Sequence, residues 1–417
     1  MKIAVIGAGI IGITTSYELA CDGHEVTVFE RRSAAAEESS FANAGVVAPG
    51  YVTPWAAPGM PGKVLKHLLS RYAPVKIGLP LSGSDLAWMW RWYRACKPDA
   101  YLSHRTHLQR LAFYSRERLH HITADLKLAY DRSDGYMVLL RSESDRKMIE
   151  ASLQVLRDVG VTFTELDAAG TRQQEPALNP DTEFLGAIHL PDDEVGNCRQ
   201  FALLLKNECQ RLGVKFEFNT TIERLDPGAS GSLFIQGATT ARQFDALVLC
   251  AGFASSQLLR PLGLKISMAA IYGYSMSATV REPLNAPRSA VMDERFKVAI
   301  SRLGNRVRVA GSAEIGGSPQ KHRESSIQTL YKVLQDWFPG ATQQSSGVQI
   351  WKGARPMLSD GPPLIGASGL PGLWLNLGHG SSGWALSCGS ARALADQIGG
   401  KRPDIDMQGF AGTRLAK

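Results

Sequence analysis

The apolar positions of the first thirty residues predict a strand, a turn, a helix and a second strand. A continuous apolar run at Lys2–Ile6 is typical of a buried parallel strand, and it breaks at the G-x-G-x-x-G sequence of residues 7–12. A helical pattern follows as far as Leu19, and Glu25–Phe29 predicts the second strand. Because the motif stands between a strand and a helix, it predicts binding of a dinucleotide.

The three glycines and a downstream acid have separate roles in this prediction. Gly7 permits a tight turn, Gly9 lets the backbone approach a pyrophosphate, and Gly12 lets the helix press on the strand. The helix N-terminus supplies free amides and a positive dipole. Glu30 follows Gly12 by eighteen residues, and its carboxylate would accept from a ribose 2′-OH and repel a 2′-phosphate. The acid therefore disfavours NADP.

The rest of the chain alternates between helical and strand patterns. Helices are predicted at residues 103–128, 144–159 and 198–212, and strands at 135–140, 214–218 and 244–252. Residues 260–350 show several strand patterns and one helix at 323–338, which predicts an antiparallel sheet. The last section returns to glycine-rich turns, a strand at 373–377 and a terminal helix.

These patterns predict an α/β fold with two interleaved domains. A Rossmann-like parallel domain for the dinucleotide is assembled from residues 1–62, 190–258 and 351–417. A substrate domain of the α+β class, which contains the antiparallel sheet, comes from residues 63–189 and 259–350. The length of 417 residues exceeds one ordinary domain and agrees with this division.

The composition is that of a globular protein, with 44% hydrophobic and 20% charged residues. No stretch of eighteen apolar residues occurs, and the N-terminus enters a strand directly, so neither a membrane span nor a cleaved signal is predicted. The six cysteines are scattered without a C-x-x-C pair, which indicates reduced thiols in a cytoplasm and no metal site. The net charge of +7 favours anionic substrates or an anionic membrane face, and it equally aids solubility.

The segment of residues 63–101 mixes basic and aromatic side chains. Such a mixture is what a helix on an anionic bilayer needs, and it predicts peripheral contact with the inner face of the plasma membrane. The alternative is a helix that packs on the core with solvated basic side chains. Nucleic acid is disfavoured as a partner because the chain shows no binding module. The segment contains Lys63, Lys66, Arg71, Lys76, Arg91, Arg94, Lys97, Leu65, Leu68, Leu69, Trp88, Trp90, Trp92 and Tyr93.

A long loop at residues 33–62 is rich in Ala, Ser, Pro and Gly. Loops of this length without periodicity are usually functional or disordered. Small side chains at residues 39–46 would let the backbone lie against a flat ligand, and hydroxyls and amides there could meet phosphates or ring carbonyls. Phe41 and Trp55 favour a packed loop over a flexible linker.

Six ordered blocks resemble a known family. They are the N-terminal motif with Glu30 and the sequences at residues 40–59, 189–201, 272–276, 353–366 and 376–390. Over nearly the whole chain they are similar to the FAD-dependent D-amino acid oxidase superfamily, and most closely to its bacterial D-amino acid dehydrogenases of the small-subunit type. The resemblance implies FAD, oxidation of a D-amino acid to an imino acid that hydrolyses to a 2-oxo acid, and transfer of electrons to a quinone or another respiratory acceptor in the membrane.

The resemblance and the glycine motif together assign the FAD-binding residues. Small residues at strand ends and at the start of the last helix would face the flavin, and the acid after the second strand would face the ribose. The predicted FAD-binding residues are Gly7, Gly9, Ile10, Ile11, Gly12, Glu30, Arg31, Ser39, Ser40, Asn43, Ala44, Gly45, Val46, Ala251, Gly252, Gly378, Gly380, Ser381, Ser382 and Gly383.

Four residues are assigned to the substrate and the reaction. Arg355 is the first candidate for the substrate carboxylate, because a guanidinium binds a carboxylate bidentately; a structural salt bridge is the alternative. Tyr274 and Tyr51 are candidates for a second hydrogen bond to that carboxylate, or are packed tyrosines. His379 is assigned to negative charge on the reduced flavin, or only to hydrogen bonding within its loop. Hydride transfer from the substrate Cα to flavin N5, with the amine neutral, would need no strong side-chain base.

Two departures from the resembled family bear on the substrate. Ile271-Tyr272 stands where the family has Leu-Lys, and Ser381-Ser382 stands where it tends to have Thr-Leu. An aromatic side chain and a small polar pair suit a cyclic D-imino acid such as D-proline or 4-hydroxy-D-proline.

Two other interpretations stay open. An oxygen-using oxidase of the same fold, of the glycine or sarcosine oxidase type, would produce peroxide in air. A non-catalytic FAD-binding subunit of a larger complex would show no activity with a dye acceptor. A nicotinamide dehydrogenase is disfavoured because the chain carries a single glycine-rich fingerprint, which is assigned to FAD.

Overall fold

The computed structural model describes residues 1–67 and 70–415, which form three sheets of six, three and ten strands. Residues of the six-stranded and ten-stranded sheets line one cavity. Leu68 and Leu69 of the basic aromatic segment lie outside the described residues. Parallel strands joined through helices are present together with a larger mixed sheet, so the predicted α/β class is confirmed.

The strands and helices follow the predicted periodicities closely. The strands are β1 Lys2–Ile6, β2 Glu25–Phe29, β3 Val46–Val47, β4 Val75–Gly78, β5 Ser133–Leu140, β6 Thr164–Asp167, β7 Gly186–Val195, β8 Lys215–Glu217, β9 Ile222–Asp226, β10 Gly231–Ile235, β11 Arg242–Phe244, β12 Ala246–Leu249, β13 Met268–Thr279, β14 Ala290–Asp293, β15 Val298–Leu303, β16 Arg306–Gly316, β17 Gln349–Leu358, β18 Leu364–Ala367 and β19 Leu373–Leu377. The helices are α1 Ile10–Cys21, α2 Met60–His67, α3 Gly83–Ala95, α4 Pro98–Leu126, α5 Glu143–Asp158, α6 Ala168–Gln174, α7 Cys198–Arg211, α8 Ser255–Leu259, α9 Glu324–Trp337 and α10 Gly383–Ile398.

The N-terminal strand is central in the smaller sheet, whose order is β18-β19-β12-β1-β2-β8. β1 pairs in parallel with β2 on one side and with β12 on the other. Residues 3–6 are buried, which explains the uninterrupted apolar run, because a strand covered on both faces has no polar alternation.

Helices α1, α4, α7 and α10 share one hydrophobic core beside the smaller sheet. The carboxylate of Glu18, on α1, is fully buried, and it accepts from Arg118 of α4 at 2.6 Å and from Arg392 of α10 at 2.8 Å. One buried acid therefore joins three helices that come from distant parts of the chain.

The larger sheet has the order β17-β13-β16-β15-β14-β5-β7-β3, with β4 added beside β16 and β6 beside β7. Strands β13 to β17 pair antiparallel as predicted, but β5 pairs with β14 and β4 with β16 in parallel, so the sheet is mixed. Helix α9 packs on one face through Trp337 and its apolar neighbours. The opposite face borders the cavity.

Two predicted domain boundaries cut through strands of the larger sheet. The boundary at residue 190 falls within β7, and the boundary at residue 351 falls within β17. Both strands belong to the larger sheet as far as Val195 and Leu358. The division of the chain into two domains stays a prediction.

Helix α3, in the basic aromatic segment, has one face packed on the core and one face exposed to solvent. Trp88 and Trp92 are buried against Trp55, and Trp88 Nε1 donates to the Met357 carbonyl oxygen at 2.9 Å. Their inclusion among interfacial aromatics is therefore corrected, because one face of α3 packs on the core. Trp90 and its neighbours on the other face are exposed. Among the described residues, no helix has the length and apolar character needed to span a membrane.

Candidate active site

The glycine motif forms a close contact between β1, α1 and β12. Gly7 has a left-handed φ of +105°, and a Cβ there would lie 2.7 Å from the Cys250 carbonyl oxygen. A Cβ at Gly12 would lie 1.8 Å from the Gly7 carbonyl oxygen, so a larger residue would push α1 away from β1. A Cβ at Gly9 would meet only the Ser40 hydroxyl oxygen, at 3.5 Å, and its backbone is open toward the cavity.

Two backbone amides hold the Glu30 carboxylate at the cavity wall. Its oxygens accept from the Ala8 amide at 2.7 Å and from the Arg32 amide at 2.8 Å. The Ser40 hydroxyl accepts from the first amide of α1, at Ile10, at 3.0 Å. A carboxylate has further lone pairs, so Glu30 can still accept from a ribose hydroxyl.

The loop of residues 39–46 is packed rather than flexible. Trp384 Nε1 donates to the Gly45 carbonyl oxygen at 3.1 Å, and the half-buried Arg308 donates to the Asn43 carbonyl oxygen at 3.1 Å. These bonds hold the small residues of the loop against the cavity.

The C-terminal ends of β12 and β19, together with the start of α10, form the opposite part of the wall. Ala251 and Gly252 follow β12, and Gly378 follows the neighbouring parallel strand β19, so these residues meet at one sheet edge. The 3₁₀ turn Gly380–Ser382 leads directly into α10, and no side chain caps the start of the helix. The positive end of the helix dipole faces the cavity.

A cavity of about 1010 Å³ joins these parts. Its size leaves room for a dinucleotide together with a small substrate. The predicted FAD-binding residues line it, except for Gly12, which lies between α1 and β1. Two helix N-termini, an acid that can accept from a ribose and walls of small residues fit FAD, and the role of each residue stays a prediction.

Arg355 presents an unpaired guanidinium to this cavity. The side chain lies over Gly273, where an added Cβ would come within 2.3 Å of a guanidinium nitrogen. Nη1 donates to the Ser312 carbonyl oxygen at 2.8 Å, and no carboxylate of the described residues pairs with it. Burial lowers the pKa of Arg355 to about 10, so the group stays charged at neutral pH. The structural salt bridge considered as its alternative is not formed within residues 1–67 and 70–415.

Tyr274 lies on the other face of the larger sheet. Tyr274 pairs with Lys352, so these two side chains share one face of the sheet. Lys352 follows the cavity-facing Trp351 on β17, so Tyr274 and Trp351 point to opposite faces. The Tyr274 hydroxyl donates to Glu314 at 2.5 Å and accepts from the Arg323 amide at 3.1 Å. Tyr274 also borders the cavity, but its hydroxyl is bonded on the other face of the sheet. Its assignment to the same carboxylate as Arg355 stays a prediction, which this bonding does not favour.

His379 is buried beside the start of α10. Its Nε2 lies 3.1 Å from the Ser390 hydroxyl, and burial lowers the pKa of His379 to about 3. The imidazole is therefore neutral at physiological pH. The geometry favours the interpretation of a hydrogen-bonding histidine over a cation beside the flavin.

Tyr51 does not line the cavity directly. Its ring meets that of Tyr136 edge-on, with 6.1 Å between the centroids, and Tyr136 stands between it and the cavity wall. The Tyr51 hydroxyl is buried and has no hydrogen-bond partner among the described residues. Its assignment to the substrate carboxylate stays a prediction, which this position does not favour.

The sequence analysis missed the floor of the cavity. Tyr136 and Lys297 line it, together with a row of side chains on one face of the larger sheet. No local motif marks them, because their common face depends on pairing across five strands. The row, in order of cross-strand pairs, is Trp351, Ser275, Ala310, Ala299 and Met292, and all but Ser275 reach the cavity wall.

Residues 2–397 match the family model described as FAD dependent oxidoreductase. The chain belongs to this family. FAD as the cofactor and an oxidoreductase activity, both predicted above, are therefore confirmed at the level of the family.

Individual proteins resemble the chain over its whole length. It is 40% identical to a D-amino acid dehydrogenase of Bradyrhizobium diazoefficiens over 418 residues, which cover 100% of this chain and 99% of that protein. The fold is similar to that of L-proline dehydrogenase from P. horikoshii, with a TM-score of 0.76, 14% identity and coverage of 100% and 97%. Glycine oxidase from Geobacillus kaustophilus gives a TM-score of 0.74, 21% identity and coverage of 99% and 98%. The two structures show the fold alone.

Proposed function

We propose that this chain is an FAD-dependent D-amino acid dehydrogenase. The observation that carries the proposal is the guanidinium of Arg355 in the cavity, which pairs with no carboxylate of residues 1–67 and 70–415. It offers a binding site for the α-carboxylate that every amino acid contains. The 40% identical relative is named for this activity.

The residues of the chain can orient the substrate and stabilise charge. Arg355 would hold the carboxylate, and the packed floor row would exclude water from the Cα side of the site. Bound FAD would accept a hydride from Cα. The positive end of the α10 dipole would stabilise negative charge that develops beside it. With His379 neutral and bonded to Ser390, the site relies on a substrate amine that has already lost its proton.

The first experiment is an anaerobic titration of the FAD-loaded protein. The visible band of oxidised flavin is followed while D-alanine, D-proline, 4-hydroxy-D-proline and their L-enantiomers are added separately. Bleaching by D-enantiomers alone is expected. If the flavin is present and none of the six compounds bleaches it, the proposal fails and a non-catalytic subunit becomes the better explanation.

Cyclic D-imino acids are the more specific proposal. Ser381 and Ser382 line the cavity, as does part of Tyr272, which packs under Lys352 with 4.4 Å between the Nζ atom and the ring centroid. A small polar wall near Ser381 suits a compact ring with a hydroxyl group. The same titration tests this idea, which requires D-proline or 4-hydroxy-D-proline to bleach the flavin at lower concentration than D-alanine.

The electron acceptor separates a dehydrogenase from an oxidase. We propose a quinone or another respiratory acceptor, and the fold does not decide the matter, because dehydrogenases and oxidases share it. Turnover with a dye acceptor under argon and little peroxide in air are expected. Peroxide formed in air at the dye-reduction rate would favour the oxidase.

A peripheral contact with the inner face of the plasma membrane is proposed for the exposed side of α3. Leu86, Trp90 and Tyr93, here called the α3 stripe, follow helical spacing and are more than half exposed. Exposed basic residues flank the stripe, namely Arg91, Arg94 and Lys97. Apolar side chains beside basic charge fit the boundary of an anionic bilayer and support a cytoplasmic protein that docks there.

A further inference from the structure

The strand beside the Arg355 guanidinium is irregular. In the pairing of β13 with β16, the single residue Gly273 faces two residues, Ser312 and Ala313. Two residues opposite one form a β-bulge, which bends the strand and redirects its backbone groups. The Arg355 guanidinium lies over Gly273, so it is next to this bulge.

Ser312 has a left-handed backbone, with a φ of +61°. This conformation is uncommon for residues other than glycine, and it persists only where the surrounding structure imposes it. Ser312 is buried, and its carbonyl oxygen accepts from Arg355 Nη1 at 2.8 Å. In a regular antiparallel strand the carbonyl groups bond to neighbouring strands. The bulge is therefore what directs this oxygen to a side chain.

Two contacts hold the bulge from outside the cavity. The Ser312 hydroxyl lies 3.2 Å from the Ser326 hydroxyl of α9, and the Ala313 amide donates to the Pro74 carbonyl oxygen at 2.8 Å. Ser326 is fully buried, and Pro74 immediately precedes β4. The Ser312 carbonyl oxygen therefore belongs to a fixed frame of β16, α9 and β4.

The bulge also decides where the Glu314 side chain points. An unbroken register of β16 would pair Glu314 with Ile271, whose partner on the other side is Arg355, and would place the carboxylate on the cavity face. With the extra residue, Glu314 points to the opposite face, where it contacts Lys352 at 3.0 Å. The guanidinium of Arg355 therefore stays available for the carboxylate of a ligand.

We infer that Ser312 is a positioning residue for Arg355. Its left-handed backbone turns the carbonyl oxygen to Nη1, and because a guanidinium is a rigid planar fork, this one bond sets the direction of the remaining donors. Those donors then meet the substrate carboxylate in a fixed orientation. The inference rests on the proposed function for its substrate, and it assigns the role to a backbone conformation instead of a side chain.

Two substitutions separate the backbone of Ser312 from its hydroxyl group. Ser312→Gly loses the hydroxyl group but takes up a left-handed φ readily. Ser312→Thr keeps a hydroxyl group but resists that φ, because a β-branched side chain is crowded there. If only a fraction of the molecules holds the left-handed conformation, the apparent affinity for a carboxylate falls in proportion to that fraction.

The binding test uses pyrrole-2-carboxylate, which has no hydrogen on the carbon that bears the carboxylate and so cannot donate a hydride from it. Its Kd for the FAD-loaded protein is measured by calorimetry. Ser312→Gly should stay within about twofold of the unchanged protein, and Ser312→Thr should raise the Kd by about fivefold or more. An unchanged Kd in Ser312→Thr would overturn the inference, as would an equally high Kd in Ser312→Gly or no binding to the unchanged protein.

Two further variants guard against effects on folding. Lys127 is exposed at the end of α4 and also has a left-handed φ, of +51°. Lys127→Thr should therefore lose stability and keep the Kd unchanged, and a raised Kd would overturn the assignment by tracing it to general destabilisation. If Ser312→Thr does not fold and load FAD, Ser312→Ala takes its place and should bind more weakly than Ser312→Gly. Equal binding of these two variants would also contradict the inference.

A double-mutant cycle shows whether Ser312 acts through Arg355. In an Arg355→Lys background, Ser312→Thr should change the Kd by less than about twofold, because an ammonium has rotatable donors and no fork to orient. The same fold-change in both backgrounds would make Ser312 a structural residue only.

Kinetics separate this inference from the proposed function. In Ser312→Thr, kcat/KM for D-alanine and D-proline should fall by a similar factor through KM, because both substrates share the α-carboxylate, and the affinity for FAD should not change. If D-amino acids reduce the flavin but Ser312→Thr and Ser312→Gly have the same kcat/KM, only the inference fails. If no D-amino acid reduces the flavin while the Kd values follow the expected order, only the proposed function fails.

Discussion

At the scale of single residues, Arg355 is the group on which the site depends. A guanidinium is normally buried with a carboxylate, and its isolation costs free energy unless a ligand supplies the anion. The Ser312 carbonyl oxygen satisfies one donor and leaves the others directed at the cavity. The protein therefore carries a preformed binding site for an anion, because the guanidinium is already desolvated before the ligand binds.

Replacing Arg355 tests this role. Arg355→Met should lower kcat/KM for D-amino acids by roughly 100-fold or more, because a buried, hydrogen-bonded ion pair is worth several kcal/mol. Arg355→Lys should recover part of the loss, since it keeps the charge without the bidentate geometry. Steady-state kinetics are the measurement, with flavin content as the control. Unchanged kcat/KM in a flavin-loaded Arg355→Met protein would remove Arg355 from the site.

His379 leads to a prediction about pH and stability. Its pKa of about 3 in the folded protein lies below the ordinary value of 6.5, so the unfolded chain binds a proton that the folded chain refuses. The stability that a neutral His379 provides is complete above pH 6.5 and is lost as the pH falls toward 3. Between pH 6.5 and pH 4, the free energy of unfolding should therefore fall by about 3 kcal/mol less in His379→Gln than in the unchanged protein. Denaturant unfolding at both pH values measures this, and parallel losses would contradict it.

At the scale of elements, the glycines between β1 and α1 are needed for two different reasons, packing of the protein and space for a ligand. Gly12 is required by the protein itself, because a Cβ would strike the Gly7 carbonyl group. Gly9 has an ordinary φ of −69° and room for a Cβ, so the protein alone does not require glycine there. A ligand that lies against the backbone would require it.

Two alanine variants distinguish these uses. Gly12→Ala should destabilise the chain with or without FAD, because α1 must move away from β1. Gly9→Ala should leave the stability of the FAD-free protein nearly unchanged and weaken FAD binding by about tenfold or more, since the methyl group occupies the space beside the pyrophosphate. Thermal unfolding and flavin fluorescence titration are the two measurements. Normal FAD affinity in Gly9→Ala would place the pyrophosphate elsewhere.

The two faces of α3 give a sharper membrane test than its tryptophans as a group. Trp90→Ser with Tyr93→Ser should weaken sedimentation with vesicles rich in phosphatidylglycerol by several-fold, because the α3 stripe would lose its apolar contact. Leu284→Ser is a matched control, since Leu284 is 84% exposed and lies far along the chain in a turn. Equal sedimentation of the double variant and the control would exclude the stripe as the contact. Trp88 and Trp92 are unsuitable for this purpose because their loss would disturb the core.

At the scale of the whole molecule, the cavity wall draws on segments near residues 7, 40, 252, 355 and 380. A ligand that bridges these segments stabilises all the elements that carry them. Excess FAD should therefore raise the melting temperature of the chain as one transition, by an amount that grows with the logarithm of FAD concentration. Circular dichroism and flavin fluorescence should report the same midpoint. Two separated transitions would show that the sheets unfold independently.

The sequence predicts local structure well and pairing across strands poorly. The β1–α1–β2 unit follows from adjacent residues, so its glycines and Glu30 could be assigned in advance. Tyr274 could not be placed, because its face depends on the register of β13 with β17 and on a bulge opposite, at Ser312 of β16. The floor row and the membership of β7 and β17 in the larger sheet depend on equally distant pairings.

The helical spacing of α3 indicates which of its tryptophans are buried, whereas the composition of the segment does not. Counting aromatic and basic residues placed Trp88, Trp90 and Trp92 together. A period of 3.6 residues separates Trp88 and Trp92 from Trp90, and the structure buries the first two and exposes the third. The spacing predicts which face of α3 is buried, but it does not predict that Trp55 packs against that face.

The central position of β1 has a consequence for synthesis on the ribosome. β1 is among the first segments to emerge, but its neighbour β12 begins at residue 246, so one edge of an apolar strand waits for roughly 10 to 50 s at ordinary rates of translation. Such an edge invites pairing with other nascent chains. The cavity wall includes residues 376–385, so a chain cut short before residue 376 lacks part of the wall and the whole of α10. The cofactor cavity is therefore completed late in synthesis, long after β1 has been made.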